Sequence, residues 1–175
     1  MLPKITVVTV VYNGILTLDA TIKSVISQTY SNLEYIVVDG GSTDGTLELL
    51  KKYNSQISII ISEKDDGLYD AMNKGIALST GEWICFMNCG DIFSSCNVLT
   101  FIFENNDWTK ADIIYGDAIQ IDGRRKKLIV AGYDLFQLNY HPIYRHNASF
   151  VRTQIHKHFL FCLLYTSPSP RDVEE

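Results

Sequence analysis

The chain is predicted to fold as an α/β domain built on an open, mostly parallel sheet, with a mixed-sheet addition toward its C-terminus. Three observations carry that prediction. Nearly continuous β-branched runs, such as Ile5-Thr6-Val7-Val8-Thr9-Val10-Val11, have the pattern of strands buried on both faces. Segments with apolar residues at helical spacing separate these runs, giving β-α-β-α-β-α-β up to Met87. Two of the strands run out into carboxylates, Asp39 after Val37-Val38 and Asp91 just past Met87. Ligands of open α/β sheets bind outside the carboxyl ends of the strands.

The elements follow in order. Tyr12-Asn13-Gly14 breaks the first strand, and Ile15, Leu18, Ile22, Val25 and Ile26 then recur at helical spacing up to Gln28. Residues 34–38 read as the second strand and 44–53 as the second helix, with Ser42, Thr43 or Asp44 placed to cap it. Residues 57–61 are the third strand. Leu68, Ala71, Met72 and Ile76 mark a third helix that stops at Ser79-Thr80-Gly81, the glycine standing as its stop signal. Glu82 to Met87 is the fourth strand.

Past residue 91 the pattern changes. Ser95 to Phe103 reads as a helix, Asp112 to Ile121 as a strand, and Lys127 to Val130 as its return arm after a turn at Asp122-Gly123. The run Arg124-Arg125-Lys126-Lys127 beside that turn reads first as a solvated hairpin tip. Its sharper reading is a contact for phosphate or a membrane surface. From about residue 163 the sequence has Pro168, Pro170 and no periodicity. Residues 1–162 are therefore taken as a domain incomplete at its C-terminus, and 163–175 as a foreign or disordered tail.

A length of 175 residues suffices for one domain with a substantial core, and 46% apolar with 20% charged residues is ordinary for a soluble protein. The net charge of −5 argues against a general nucleic-acid binder. It suits instead a nucleotide diphosphate bridged to carboxylates by a cation. Cys85, Cys89, Cys96 and Cys162 form no paired CxxC motif and read as thiols of a reducing cytoplasm. Met1-Leu2-Pro3-Lys4 leads straight into a strand without a signal pattern, and no apolar run approaches the ~18 residues of a membrane span.

Asp39 repels a bare phosphate but accepts hydrogen bonds from a base N–H or a ribose hydroxyl. Asp91, at the same sheet edge, is a hard oxygen ligand suited to Mg²⁺ or Mn²⁺ carrying phosphate oxygens. The plainer reading of Asn88-Cys89-Gly90-Asp91 is a turn after a strand. Between these sites, Asp65 and Asp66 stand at a helix start, where the dipole favours them. Asn73 could bond a base edge and Lys74 could neutralise phosphate, or Lys74 could simply face solvent. No GxGxxG follows the first strand, which disfavours a dinucleotide oxidoreductase. The lack there of a glycine-rich basic loop disfavours a sugar-1-phosphate nucleotidyltransferase.

Four stretches in order carry a resemblance: Thr9-Val10-Val11-Tyr12-Asn13, Val38 to Thr46, Asp65 to Gly75, and Asn88-Cys89-Gly90-Asp91. Together, over residues 4 to about 160, they resemble family 2 glycosyltransferases with the Rossmann-like GT-A nucleotide-binding fold. The resemblance implies transfer of a sugar from a UDP- or GDP-sugar donor to a hydroxyl, with inversion and a divalent metal, Mg²⁺ or Mn²⁺. Thr9, Tyr12 and Asn13 would line the nucleotide pocket, with Asp39 and Ser42 at the base or ribose. Asn73 and Lys74 would contact base or phosphates, and Asp91 would hold the metal.

The chain departs from the family pattern at Asn88, where an aspartate is usual. The Ile114 to Asp117 and His146 to Phe150 stretches resemble a polysaccharide-assembly branch with a glycan or lipid-linked sugar acceptor, and His146 would face the acceptor or the diphosphate. The resemblance implies a cytoplasmic domain, or one peripheral at the inner face of the membrane, in cell-surface polysaccharide or glycan synthesis. The family's base is a carboxylate downstream of the histidine segment, expected to be missing from this chain, which leaves His146 as the candidate catalytic residue. The alternative is a nucleotide-sugar binding module without turnover.

Overall fold

The computed structural model describes residues 1–132, 134 and 145–163. The part of the expected tail at 164–175 lies outside the described residues. The described residues form eight strands and five α-helices, alternating up to α4: β1 Ile5–Val11, α1 Leu18–Ile26, β2 Leu33–Asp39, α2 Thr46–Lys52, β3 Ile59–Ser62, α3 Leu68–Leu78, β4 Trp83–Phe86, α4 Val98–Phe103, β5 Ile113–Tyr115, β6 Ala118–Asp122, β7 Arg125–Ile129, β8 Ser149–Arg152 and α5 Thr153–His158. A six-stranded sheet has the order β3-β2-β1-β4-β8-β5, and β6 with β7 forms a separate ribbon.

The β-branched runs produce a sheet covered on both sides. Every residue of β1 is buried, and its side chains alternate between the two faces. Ile5, Val7 and Val11 pack with Leu18, Ile22 and Val25 of α1, Leu49 and Leu50 of α2, and Leu99 and Phe103 of α4. Val8 and Val10 pack on the other face with Ala71, Met72 and Ile76 of α3. Each fully buried aliphatic side chain contributes about 1.5–3 kcal/mol.

The first four strands of the order are parallel, with Val11 paired to Asp39 and Asp39 to Ser62. Because β2 and β4 flank β1 on opposite sides, the sheet has a topological switch at the β1 exit, the place where open α/β sheets leave a crevice.

Two local expectations are revised, and one strand is new. The strand expected over 112–121 splits at Gly116-Asp117: β5 joins the main sheet, while β6 belongs to the ribbon. Asp117 accepts a hydrogen bond from the Ala131 amide at 2.9 Å, which pins the base of the ribbon. Next, β8 inserts antiparallel between β4 and β5. Arg152 anchors it, pairing with Glu82, bonding the carbonyls of Trp108 and Ala111, and stacking 4.2 Å over the Trp83 ring.

Gly81, finally, is not a helix stop. Helix α3 ends at Leu78 with an extended Ser79 as its cap. A Cβ at Gly81 would lie 2.7 Å from the Thr6 amide nitrogen and 2.9 Å from the Lys4 carbonyl oxygen, so the residue is set by close approach to β1.

Candidate functional site

Two loops meet at the β1 exit and are laced together. After β1 the backbone turns sharply, with Asn13 in the left-handed region at φ 49°, a conformation that asparagine tolerates better than most residues. The Asn13 amide donates to Ser42 Oγ at 2.7 Å, and Asn13 Oδ1 accepts from the Thr43 amide at 2.9 Å. One residue on, the Gly14 amide donates to Thr46 Oγ1 at 3.0 Å, and the Ile15 amide donates to Asp44 Oδ2 at 3.0 Å. Asp44 also accepts from the Thr46 amide, which satisfies one of the first amides of α2 in place of a side-chain N-cap.

Asp39 is the hub of this lattice. It is 0% exposed. Its Oδ2 accepts from the Gly41 amide, the Ser42 amide and the Ser62 hydroxyl at 3.2, 3.1 and 2.7 Å. Its Oδ1 accepts a short bond from Ser42 Oγ. Ser42 therefore relays between the Asn13 backbone and the buried carboxylate. Asp65 leans over the same loop: a Cβ at Gly40 would fall 2.5 Å from Asp65 Oδ2, so a larger residue there would displace the carboxylate. Burial pushes the Asp65 carboxyl up; the Gly67 amide and Lys74 oppose this, and Asp70 and Asp39 add to it. Tyr12 stands at the rim with 59% of its surface exposed.

A second polar group lies across β1, at the exit of β4. The Met87 and Cys89 amides continue the pairing by donating to the Val8 and Val10 carbonyls, which brings Asn88 to Asp91 to the same sheet edge as Asp39. Gly90, at φ 101°, closes a turn in which the Asp91 amide donates to the Asn88 carbonyl at 2.8 Å. Cys89 points away from this turn, its Sγ 3.2 Å from Thr17 Oγ1. Asn88 Nδ2 lies 3.1 Å from His146 Nε2, at a one-turn 3₁₀ helix, His146–Ala148.

Among the described residues, two buried side-chain acceptors lack a hydrogen-bond partner, Asn88 Oδ1 and Asn147 Oδ1. Burial holds the His146 imidazole below its ordinary range, with Asp91 opposing and Arg145 reinforcing.

Among the described residues, no three His, Cys, Asp or Glu side chains converge into a metal cage. The donor set still fits a hard divalent cation. Asp91 supplies a carboxylate, Asn88 an unpartnered amide oxygen, and such ions readily take their remaining ligands from phosphate and water.

The other expected site residues have interior or loop-holding positions. Thr9 is fully buried; its hydroxyl donates to the Met87 carbonyl at 2.7 Å and lies 3.0 Å from the Tyr35 hydroxyl. It ties β1 to the β4 exit rather than opening to the crevice. Asn73 uses both ends of its amide on Phe161, donating to its carbonyl at 3.0 Å and accepting from its amide at 2.9 Å. Lys74 pairs with Glu63 at 2.9 Å and Asp70 at 3.2 Å, and donates to the Lys64 carbonyl at 3.2 Å. It holds the β3–α3 loop.

The sequence reading missed Asn88 as an oxygen donor, along with Ser62 and Asp65 at the hub. A cavity of about 290 Å³ lined by Ile26, Gln28, Tyr30, Leu33, Tyr35, Gln56 and Ser58 lies toward the opposite end of β2 and has no carboxylate or histidine. A smaller cavity, about 130 Å³, is lined by His146 and His156 with Ile84, Phe86, Ser149, Val151 and Phe161.

The profile of Glycosyl transferase family 2 matches residues 6–160. The chain belongs to glycosyl transferase family 2. It is 34% identical over 124 residues to a PGL/p-HBAD biosynthesis glycosyltransferase of Mycobacterium tuberculosis, an alignment covering 67% of this chain and 47% of that protein. Thus the chain spans about half the length of the curated relatives it matches.

Solved structures show the GT-A glycosyltransferase fold. S. aureus TarS 1–349 in complex with UDP superposes with a TM-score of 0.76 at 19% identity, covering 94% of this chain and 52% of that one. The mannosyltransferase PcManGT from Pyrobaculum calidifontis, in complex with GDP-Man and Mn²⁺, gives 0.70 at 16% identity, covering 93% and 48%. Among the described residues of this family 2 chain, no helix is long and apolar enough to cross a membrane.

Proposed function

We propose that this chain carries the donor side of an inverting glycosyltransferase, moving a sugar from a UDP- or GDP-sugar to a hydroxyl acceptor with Mg²⁺ or Mn²⁺. The observation that carries the reading is the pair of unlike polar groups flanking the β1 exit. On one side Tyr12 offers an aromatic face for a base, Asn13 and Ser42 offer groups for the base or ribose, and enclosed Asp39 would orient Ser42 and the Gly41 backbone beneath them. On the other side, Asn88 Oδ1 and Asp91 would hold a cation shared with the diphosphate. Such an ion neutralises charge on the departing nucleotide diphosphate.

His146, with Nε2 3.1 Å from Asn88 Nδ2, would sit within reach of the diphosphate or the acceptor hydroxyl. Thr9, Asn73 and Lys74 support the reading from behind, fixing the β1–β4 junction, the Phe161 segment and the β3–α3 loop.

Inversion is a single displacement. The acceptor oxygen bonds the anomeric carbon as the bond to the diphosphate oxygen breaks, and a carboxylate takes the hydroxyl proton. The UDP and GDP-Man complexes of the structural neighbours support either nucleotide, and the Mn²⁺ complex supports metal use. The biosynthetic name of the relative supports a role in glycan assembly, onto a glycan or lipid-linked sugar.

A second reading, binding without turnover, draws on the stretch from Arg145 to Leu163, which contains no carboxylate to serve as base. Calorimetry with UDP- and GDP-sugars and Mn²⁺, run beside an assay of nucleotide diphosphate release over an acceptor panel, separates the two. Binding with release supports transfer, and binding alone selects the second reading. Binding of neither donor overturns both.

A further inference from the structure

The ribbon of β6 and β7 takes no part in the donor crevice. Its strands are exposed along nearly their whole length, and only Ala118 and Ile129 at the base are half-buried. Pairing of Ile119 with Leu128 and of Ile121 with Lys126 puts Ile119, Ile121 and Leu128 on one face. These three are 55%, 56% and 58% exposed, and Val130, two residues past Leu128, is 58% exposed. Arg124, Arg125, Lys126 and Lys127 cluster at the tip beside the single acid Asp122. The ribbon is therefore net positive in a chain whose net charge is −5. A two-stranded ribbon with bare aliphatic side chains is marginal in water on its own.

We propose that this ribbon docks the domain on an anionic lipid bilayer, its cations at the headgroup phosphates and its aliphatic face at the acyl boundary. Charge complementarity selects that occupant. An anionic surface attracts the ribbon and repels the acidic remainder, so it also orients the domain. Symmetric pairing of two ribbons through the aliphatic face would bury both copies' Lys126 ammoniums in the contact. Four aliphatic side chains also fall far short of the roughly 800 Å² per partner of a stable protein interface. Lys126, beside Ile121 on the apolar face, can lay its stem along that side chain and keep its charge at the headgroups. The inference is independent of the donor reading, because its test needs neither nucleotide nor turnover.

The test is co-sedimentation of the 175-residue chain with phosphatidylcholine vesicles, with and without phosphatidylserine. Binding is expected only with phosphatidylserine present. Arg125→Gln with Lys126→Gln should weaken it about 25-fold, each cation near the surface contributing about fivefold. Ile121→Ser with Leu128→Ser should remove the binding that survives at ~0.5 M salt, where the electrostatic part is screened. Since all four side chains are exposed, circular dichroism and the thermal midpoint should match wild type. Equal binding to phosphatidylcholine alone, no binding to either vesicle, or unchanged binding by the Gln pair would overturn the proposal. So would a dimer in sedimentation velocity that the Ser pair dissolves, which would make a second copy the occupant.

Discussion

Replacing Ser42 by alanine tests the lattice that shapes the nucleoside side of the crevice. The hydroxyl makes two bonds: it donates to buried Asp39 Oδ1 and accepts from the Asn13 amide at 2.7 Å. Losing a hydrogen bond to a charged group costs about 1.5–3 kcal/mol, and an amide left unpaired adds to this. Because Asn13 lies near the surface, water can partly replace its lost acceptor, so Ser42→Ala should lose about 3 kcal/mol in total. Ser62→Ala removes only one of three donors to Oδ2 and should lose about 1.5 kcal/mol.

Urea unfolding followed by circular dichroism reads both, at unchanged m-value. Hydrogen exchange should show the Asn13 and Thr43 amides opening in Ser42→Ala. Losses below about 0.5 kcal/mol, or a larger loss for Ser62→Ala, would refute the assignment of Ser42 as the relay between loops.

Other outcomes follow from the same geometry. Glu34 has a side chain 6% exposed; burial raises its carboxyl, but bonds from Lys4, Thr6 and Thr80 outweigh that and hold it at about 2. Its stabilisation is therefore complete above the ordinary carboxylate range and is lost as pH falls from about 4.5 to about 2. Glu34→Gln should lose about 3 kcal/mol at pH 7 and flatten the acid limb of a stability–pH profile. Gly81→Ala forces a Cβ against the β1 backbone and should cost more than about 2 kcal/mol in thermal or urea unfolding, whereas a glycine serving only as a helix stop would cost less. Asn73→Ala frees Phe161 and should speed limited proteolysis after residue 158, with stability down by about 2 kcal/mol.

The parallel half of the fold was legible because its signals are local. The β1 run is long and β-branched, β1 breaks at Tyr12-Asn13-Gly14 and β2 at Gly40-Gly41, and each helix between strands shows its own period. Strand β8 was not legible as a strand: it has four residues, and its pairing with β4 joins Trp83 to Arg152 across the chain. The site was legible as residue types at strand ends but not as contacts. Nothing in the sequence shows that Asn73 spends its amide on Phe161, that Cys89 turns toward Thr17, or that Asp39 is enclosed by Ser42 and Ser62. Asn88 could have been found: an amide at the start of an Asn-x-Gly-Asp turn at a parallel-strand exit places one more hard oxygen beside Asp91.

The most direct test of the central claim, a nucleotide diphosphate held at the β1 exit through a cation on Asp91 and Asn88, is calorimetric titration of UDP and of GDP. Each is run with Mn²⁺ and with chelator, on wild type and on Asp91→Ala. Mn²⁺-dependent binding of at least one nucleotide by wild type, reduced in Asp91→Ala to the level seen with chelator, is the predicted result. Binding of neither nucleotide, or equal affinity with and without metal in both proteins, would contradict it.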